Sequence, residues 1–309
     1  MNKILITGGA GFIPSCLAER LVKDENNFVV IFDNLITGSK EKLPSHQFKN
    51  WRFIKGDVNI YNDISSVMLS HSFDYVFHYA ALVGVQRTLS HPVMVLDDIQ
   101  GIKNVLDLCK NTGVKRVFFS SSSEVYGEPV EFPQNEDTTP LNSKLPYAIV
   151  KNVGEAFLKS YKKEYGLDYT IFRFFNTYGP KQSTDFVMSK FIRAALKNKE
   201  ITAYGDGKQT RTFCYIDDNI ETTYNALKKN MFLNDVVNVG NDKETTIIDL
   251  AKMIIKLTKS KSKIVHLPPL KEGDMTRRKP DIAKMKELLG RPLLPIEAGI
   301  KKVIASGNF

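Results

Sequence analysis

Short apolar runs alternate with stretches of helical spacing through the first half of the chain. Lys3 to Thr7 has the pattern of a strand, and Gly8-Gly9-Ala10-Gly11-Phe12-Ile13-Pro14 follows it. Leu17, Leu21 and Val22 then recur at helical spacing. Phe28 to Phe32 predicts a second strand, ended by Asp33. Trp51 to Ile54 predicts a third, running out near Gly56-Asp57. Tyr75 to His78 predicts a fourth, followed by the small residues of Tyr79-Ala80-Ala81. The pattern predicts a helix from Val93 to Cys109, stopped at Gly113, and a fifth strand from Arg116 to Phe119. A helix starting at Pro146-Tyr147 spaces Ala148, Val153, Ala156, Phe157 and Tyr161 along its length, and a strand from Tyr169 to Arg173 follows. Strands alternating with helices in this way predict an α/β fold with a doubly wound parallel sheet.

Beyond Arg173 the pattern loosens. Phe174 to Pro180 is rich in turn residues, and Phe186 to Lys197 predicts a helix. Tyr204-Gly205-Asp206-Gly207 predicts a tight turn, Arg211 to Ile216 a short strand, and Thr246 to Leu257 a helix. Gly273-Asp274 and Arg277-Arg278-Lys279-Pro280-Asp281 mark the last stretch. These breaks predict a sheet domain from 1–172 plus about 209–245. A smaller, interleaved C-terminal substrate domain takes 173–208 plus about 246–309.

With 309 residues, 42% of them hydrophobic and 25% charged, the chain has globular composition. No apolar run approaches the roughly 20 residues of a membrane span. Cys16, Cys109 and Cys214 are scattered, with neither disulfide nor zinc spacing, which points to a reducing cytoplasm and to no metal. The net charge of +9 comes mostly from dispersed lysines, and no nucleic-acid-binding module accompanies it. A solvated lysine surface follows, with a bias towards anionic substrates.

Strand, glycine-rich turn, helix, strand and acid is the dinucleotide-binding arrangement of a Rossmann-type sheet. The helix N-terminus takes the diphosphate, and Asp33 takes the adenosine ribose. A carboxylate there repels a 2′-phosphate, so NAD is expected over NADP. The glycines run Gly8-x-x-Gly11-x-x-Pro14, with proline where a third glycine would allow close packing; a slightly displaced helix is expected. The serines of Ser120 to Ser123 stand at a strand's carboxyl end, where open α/β sheets place their chemistry. Tyr147 and Lys151 are four apart, on one helix face. An ammonium beside a phenol favours the phenolate, so Tyr147 is expected to have a lowered pKa and to act as a base.

Taken together, these residues resemble the extended short-chain dehydrogenase/reductase family of NAD-dependent nucleotide-sugar epimerases and dehydratases. The resemblance runs end to end. It includes Thr7 to Ile13, Asp33-Asn34, Gly56-Asp57, His78 to Ala81, Ser122 to Gly127, Tyr147-x-x-x-Lys151, Arg173 to Pro180 and Tyr204 to Gly207. It implies that Tyr147 takes the proton of the sugar 4-hydroxyl while NAD takes the hydride, with Ser122 on the same oxygen and Lys151 on the nicotinamide ribose. It implies a cofactor site of Gly8, Gly11, Phe12, Ile13, Asp33 and Asn34, with Asp57 and Val58 near the adenine and Ala80 and Ala81 beside them. Asn176 and Arg211 match positions that hold the substrate diphosphate. A homodimer is implied too, pairing the Val93–Cys109 and Tyr147–Lys162 helices into a four-helix bundle.

The fate of the 4-keto sugar is the open point. Dehydratases carry an Asp-Glu pair where this chain has Ser123-Glu124, and serine is a poor acid, which disfavours dehydration. Ser123-Glu124 and Arg278-Lys279-Pro280 are similar to UDP-glucuronate decarboxylases, where the matching arginine faces the sugar carboxylate. The loop from Lys181 to Phe186 is shorter than theirs, and Arg278 also suits a diphosphate. A 4-epimerase needs only Ser122, Tyr147, Lys151 and NAD, which makes it the default; a C4 dehydrogenase releasing the ketone is a further outcome. Pro14, and Asp98 where the family usually has asparagine, depart from the family pattern. A catalytically silent NAD-binding sensor or scaffold is the alternative outside enzymes, and the retained serine, tyrosine and lysine argue against it.

Overall fold

In the computed structural model, which describes residues 1–268 and 277–307, the apolar runs become strands of one sheet. They are β1 (Asn2–Thr7), β2 (Asn27–Asp33), β3 (Trp51–Lys55), β4 (Tyr75–His78), β5 (Arg116–Ser122) and β6 (Asp168–Phe174), joined by a seventh strand, Asp235–Val239. The order across the sheet is Asp235–Val239, β6, β5, β4, β1, β2, β3, all parallel.

Side chains alternate between faces along each strand, so the sheet feeds two cores. Ile4, Ile6, Val29, Ile31, Phe77 and Phe118 enter one, Leu5, Val30, Val76, Val117 and Phe119 the other. The first is covered by α1 (Phe12–Leu21), through Leu17 and Leu21, and by the helix Ile216–Lys228, through Ile220 and Tyr224. The second is covered by α2 (Tyr61–His71), which contributes Ile64 and Met68. Next in sequence come α3 (Val85–Ser90) and α4 (Pro92–Leu96). Then α5 (Asp98–Thr112) and α6 (Pro146–Tyr165) add Ile102, Val105, Val150 and Leu158 to the second core. Helices on both faces of a parallel sheet make the fold doubly wound α/β, as the pattern predicts.

The structure corrects three element boundaries. The helix predicted from Val93 to Cys109 is two, with Pro92 opening α4 and a turn at Asp97 before α5. Proline suits a first turn because its missing N–H needs no partner there. Gly113 ends α5 in the left-handed region (φ +76°). The strand predicted from Arg211 to Ile216 is two short pieces with different partners. Thr210–Thr212 runs antiparallel to Glu244–Thr246, and Cys214–Tyr215 runs parallel to Thr177–Tyr178. Ile216 already begins a helix. Gly273 and Asp274 lie outside the described residues.

Topology places the site. The chain leaves β1 towards β2 and β3, then returns to β4 on the other side of β1. The two loops part there, and open α/β sheets bind ligands in that crevice. Gly8 follows β1 with φ +68°, and a Cβ on it would stand 2.7 Å from the Ala80 backbone. Only glycine satisfies both the dihedral and the approach.

Candidate active site

A cavity of about 730 Å³ runs along the carboxyl ends of the strands. Gly11 is the N-cap of α1, and no side chain caps it, so the first-turn amides of Phe12 and Ile13 are left for a ligand on the cavity wall. Pro14 is the third residue of α1 and buried. Its missing N–H belongs to the four that a helix start leaves unpaired in any case.

Asp33 is buried at the end of β2 and does more than wait for a ribose. Its Oδ2 accepts Ala10 N–H at 3.0 Å and its Oδ1 accepts Leu35 N–H at 2.7 Å, bracing the glycine turn. Burial raises its pKa, and these two amides oppose the shift. Asn34 donates to Asp57 Oδ2 at 2.9 Å. Val58, Ala80 and Ala81 complete this end of the cavity.

The reacting end is built from β5 and α6. Pro146 starts α6, so Tyr147 stands in its first turn and Lys151 one turn on. Tyr147 faces the Ser122 hydroxyl, and Ser122 Oγ accepts Glu124 N–H at 3.2 Å. Lys151 is 2% exposed and donates to Ser120 Oγ at 3.4 Å. Its ammonium lies 5.7 Å from the centre of the Tyr147 ring.

The expected lowering of the Tyr147 pKa is corrected here. Burial raises it strongly, the carboxylates of Glu124 and Asp98 raise it further, and only the Ser122 hydroxyl pulls it down. Lys151 is itself pushed down to about 8 by burial, with Asp98 opposing. Helix spacing brings the two residues together but says nothing of the desolvation both undergo. His78, against the same lysine, is driven to about 3 by burial and by the Lys151 charge, and so is neutral.

Beside these residues, Arg278 Nη2 meets Glu124 Oε1 at 2.7 Å. The guanidinium is nearly closed from solvent, and Glu124 Oε2 is buried without a hydrogen-bond partner. Ser123 and Asn176 line the same space, and Asn176 Nδ2 is buried without a partner. Asn176 takes φ +21°, and its carbonyl accepts Cys214 N–H at 3.2 Å. The cavity thus gathers the predicted residues, Arg211 excepted. Arg211 lies outside the lining and donates to the Thr210 carbonyl at 2.8 Å. The sequence singles out Ser120 and Asp98 but does not reveal their contacts: Ser120 accepts from Lys151, and Asp98 accepts Leu82 N–H at 2.7 Å.

Lys151 has no ion-pair partner among the described residues, so its burial costs stability while it is charged. Its folded pKa lies below its unfolded value, so the folded state binds fewer protons between about 8 and 10.5. Stability therefore rises with pH across that window. Lys151→Met is expected to raise unfolding stability at pH 7 by roughly 1–3 kcal/mol in urea titrations, the gain shrinking above pH 8. A pH-independent difference would remove this account of the site.

A family model described as the NAD dependent epimerase/dehydratase family matches residues 4–240. A UDP-N-acetyl-alpha-D-glucosaminuronate decarboxylase of Bacillus cytotoxicus is 38% identical over 98% of this chain and 97% of its own. A UDP-glucuronic acid decarboxylase of Danio rerio is 35% identical over 98% of this chain and 72% of its own. Among solved structures, the UDP-glucose 4-epimerase of Thermotoga maritima is similar with a TM-score of 0.92 at 32% identity, covering 99% of this chain and 98% of that one. The glycine turn against Ala80, the uncapped helix start and the tyrosine–lysine pair fit the cofactor that such proteins use. The chain belongs to the NAD dependent epimerase/dehydratase family of nucleotide-sugar enzymes.

Proposed function

We propose that the protein oxidises C4 of a nucleotide-diphosphate uronic sugar and releases CO2 from the resulting 4-keto acid. One observation carries this reading: buried Arg278, paired with the partly buried Glu124, stands beside Ser122 and Tyr147, at the reacting end of the cavity. An arginine that recognised only the diphosphate would have no reason to be held against Glu124 there. Guanidinium pairs with a carboxylate through two parallel hydrogen bonds, which suits a sugar C6 carboxylate. The Bacillus and Danio relatives, named as uronate decarboxylases, support the same substrate class.

Tyr147 and Ser122 place two hydroxyls on the C4 oxygen, and Tyr147 takes its proton. NAD, when bound, supplies the hydride acceptor, and its oxidised ring is cationic, a charge that opposes the burial penalty on a phenolate. The ketone at C4 is β to the carboxylate. The C5–C6 bond breaks, its electron pair moves onto the C4 oxygen as an enolate, and CO2 leaves. The same two hydroxyls hold that oxygen as its charge grows. A proton from water would then join C5, and once the bound cofactor had restored the hydrogen on C4, Tyr147 would give its proton back to the C4 oxygen. Glu124 is a like charge beside the departing carboxylate, a repulsion relieved when CO2 leaves. Asn176, with its unpartnered amide, suits an oxygen of the substrate diphosphate.

A second reading is 4-epimerisation, for which Ser122, Tyr147 and Lys151 suffice and which the Thermotoga likeness favours. Mass spectrometry of NAD-loaded protein with UDP-glucuronate, its 2-acetamido analogue and UDP-glucose separates the outcomes. Loss of CO2 is expected from the uronates, and Arg278→Gln should slow it about 100-fold. An isomer of unchanged mass would replace the proposal with the epimerase. A product short of two hydrogens would mean a C4 dehydrogenase, and inertness towards every sugar would favour a silent NAD-binding protein.

The domain division follows the same logic. Residues 1–172 with about 209–245 hold the cofactor, and 173–208 with 246 onwards, the source of Asn176 and Arg278, hold the sugar nucleotide. The unpaired Cys16, Cys109 and Cys214 suit a cytoplasmic enzyme. Among the described residues no helix is long and apolar enough to cross a membrane. The protein pairs as a homodimer through the helices 93–109 and 147–162, a reading supported by exposed Val93, Met94, Leu96 and Ile149 on α4 and α6. Light scattering should give twice the 35.0 kDa chain mass, and Ile149→Asp should halve it. A wild-type monomer would refute the bundle.

A further inference from the structure

Beneath the site, a chain of buried hydrogen bonds runs from the helix carrying Tyr147 to the segment carrying Arg278. Tyr147, Lys151 and Glu155 recur every four residues, so α6 sets all three along one face. Glu155 takes two bonds from Arg173, from Nε at 2.9 Å and Nη2 at 2.7 Å, and both side chains are sealed from solvent. Ser121 Oγ donates to Glu155 as well, at 2.6 Å. Two routes leave Arg173 through its Nη1. One goes to the Tyr126 hydroxyl at 2.8 Å, the other to the Glu136 carbonyl at 3.1 Å.

Both routes converge on Asn238. The Tyr126 hydroxyl donates to Asn238 Oδ1 at 2.8 Å, and Asn238 N–H donates to Glu136 Oε1 at 2.8 Å. Asn238 Nδ2 then donates to the Gln134 carbonyl at 3.0 Å. Gln134 is clasped to the far segment by its backbone. Its N–H donates to the Lys279 carbonyl at 2.7 Å, and its carbonyl accepts Asp281 N–H at 2.8 Å. Arg278 immediately precedes that clasp. Burial lifts the Tyr126 pKa to about 12, so its proton stays available to Asn238.

We infer that Tyr126 and Asn238 are positioning residues: they fix how far Arg278 stands from Tyr147. This rests on Arg278 acting on the reacting sugar. A substrate gripped at its C4 oxygen and at its carboxylate needs those two grips at a set separation. Displacement of one grip by about 1 Å can cost on the order of 100-fold in rate. Neither residue lines the cavity, so any effect they have on turnover reaches the substrate through others.

A double-mutant cycle tests it, with Tyr126→Phe, Arg278→Gln and the pair together in NAD-loaded protein. Tyr126→Phe is expected to lower kcat about 10-fold while KM moves less than about 3-fold. In the Arg278→Gln background the same change should cost less than about 2-fold, because the group it positions is gone. Equal losses in both backgrounds would overturn the inference, as would an unchanged kcat in Tyr126→Phe alone. Thermal melts accompany each variant, and Asn238→Leu gives a second cycle with the same criterion should Tyr126→Phe fail to fold. If the wild type epimerises without releasing CO2, the proposed reaction fails while the cycle is still read on that turnover.

Discussion

The site depends on α6 lying hard against β5. Gly154 permits it, since a Cβ there would stand 2.4 Å from the Phe119 ring. With the helix this close, Lys151 reaches Ser120, Glu155 reaches Ser121, and Tyr147 reaches Ser122. Three consecutive side-chain positions on the helix face meet three consecutive serines at the strand's end. The buried Glu155–Arg173 pair fastens the same helix to β6. Loosening this contact would disturb Tyr147, Lys151 and the three serines at once.

The close packing has an electrostatic consequence. Tyr147 and Lys151 sit where burial disfavours both the phenolate and the ammonium. Neither charged form is stabilised by a paired opposite charge, although Asp98 leans on the lysine from α5. Such a site is poised for a ligand that brings positive charge and a partner for the lysine. Arg278 is treated the other way: its charge is matched by Glu124, and Lys279 and Asp281 just after it are clasped by Gln134. The tyrosine–lysine pair is left electrostatically unsatisfied, and the arginine beside it is preorganised. That contrast suits a reaction in which a proton and a hydride move at C4 while a carboxylate is held still.

Much of this was legible in the sequence because it rests on local rules. The turn after β1 needs positive φ and close approach, and glycine at position 8 declares both. The four-residue spacing of Tyr147 and Lys151 declares a shared helix face. Other features depend on contacts remote in sequence. Tyr126 and Asn238 are 112 residues apart, and Asn238 interrupts the apolar run of Asp235–Val239 that would otherwise announce a strand. The helix Ile216–Lys228 was missed beside it, although Asp217 and Asp218 in its first turn are a readable start signal. The spacing predicts a lowered Tyr147 pKa because it reveals a neighbouring charge but not the loss of water around it. A motif match places Arg211 on the diphosphate, whereas the strand Thr210–Thr212 sets it outside the cavity lining.

In the proposed reaction, turnover begins by removing the hydrogen on C4 of the sugar and ends by returning it. Deuterium placed at that carbon tests it most directly. The account predicts a primary isotope effect in single turnover and full retention of the label at C4 of the product, with both lost alongside activity in Tyr147→Phe. Label exchanged into water, or turnover indifferent to deuterium at C4 and to Tyr147, would contradict it.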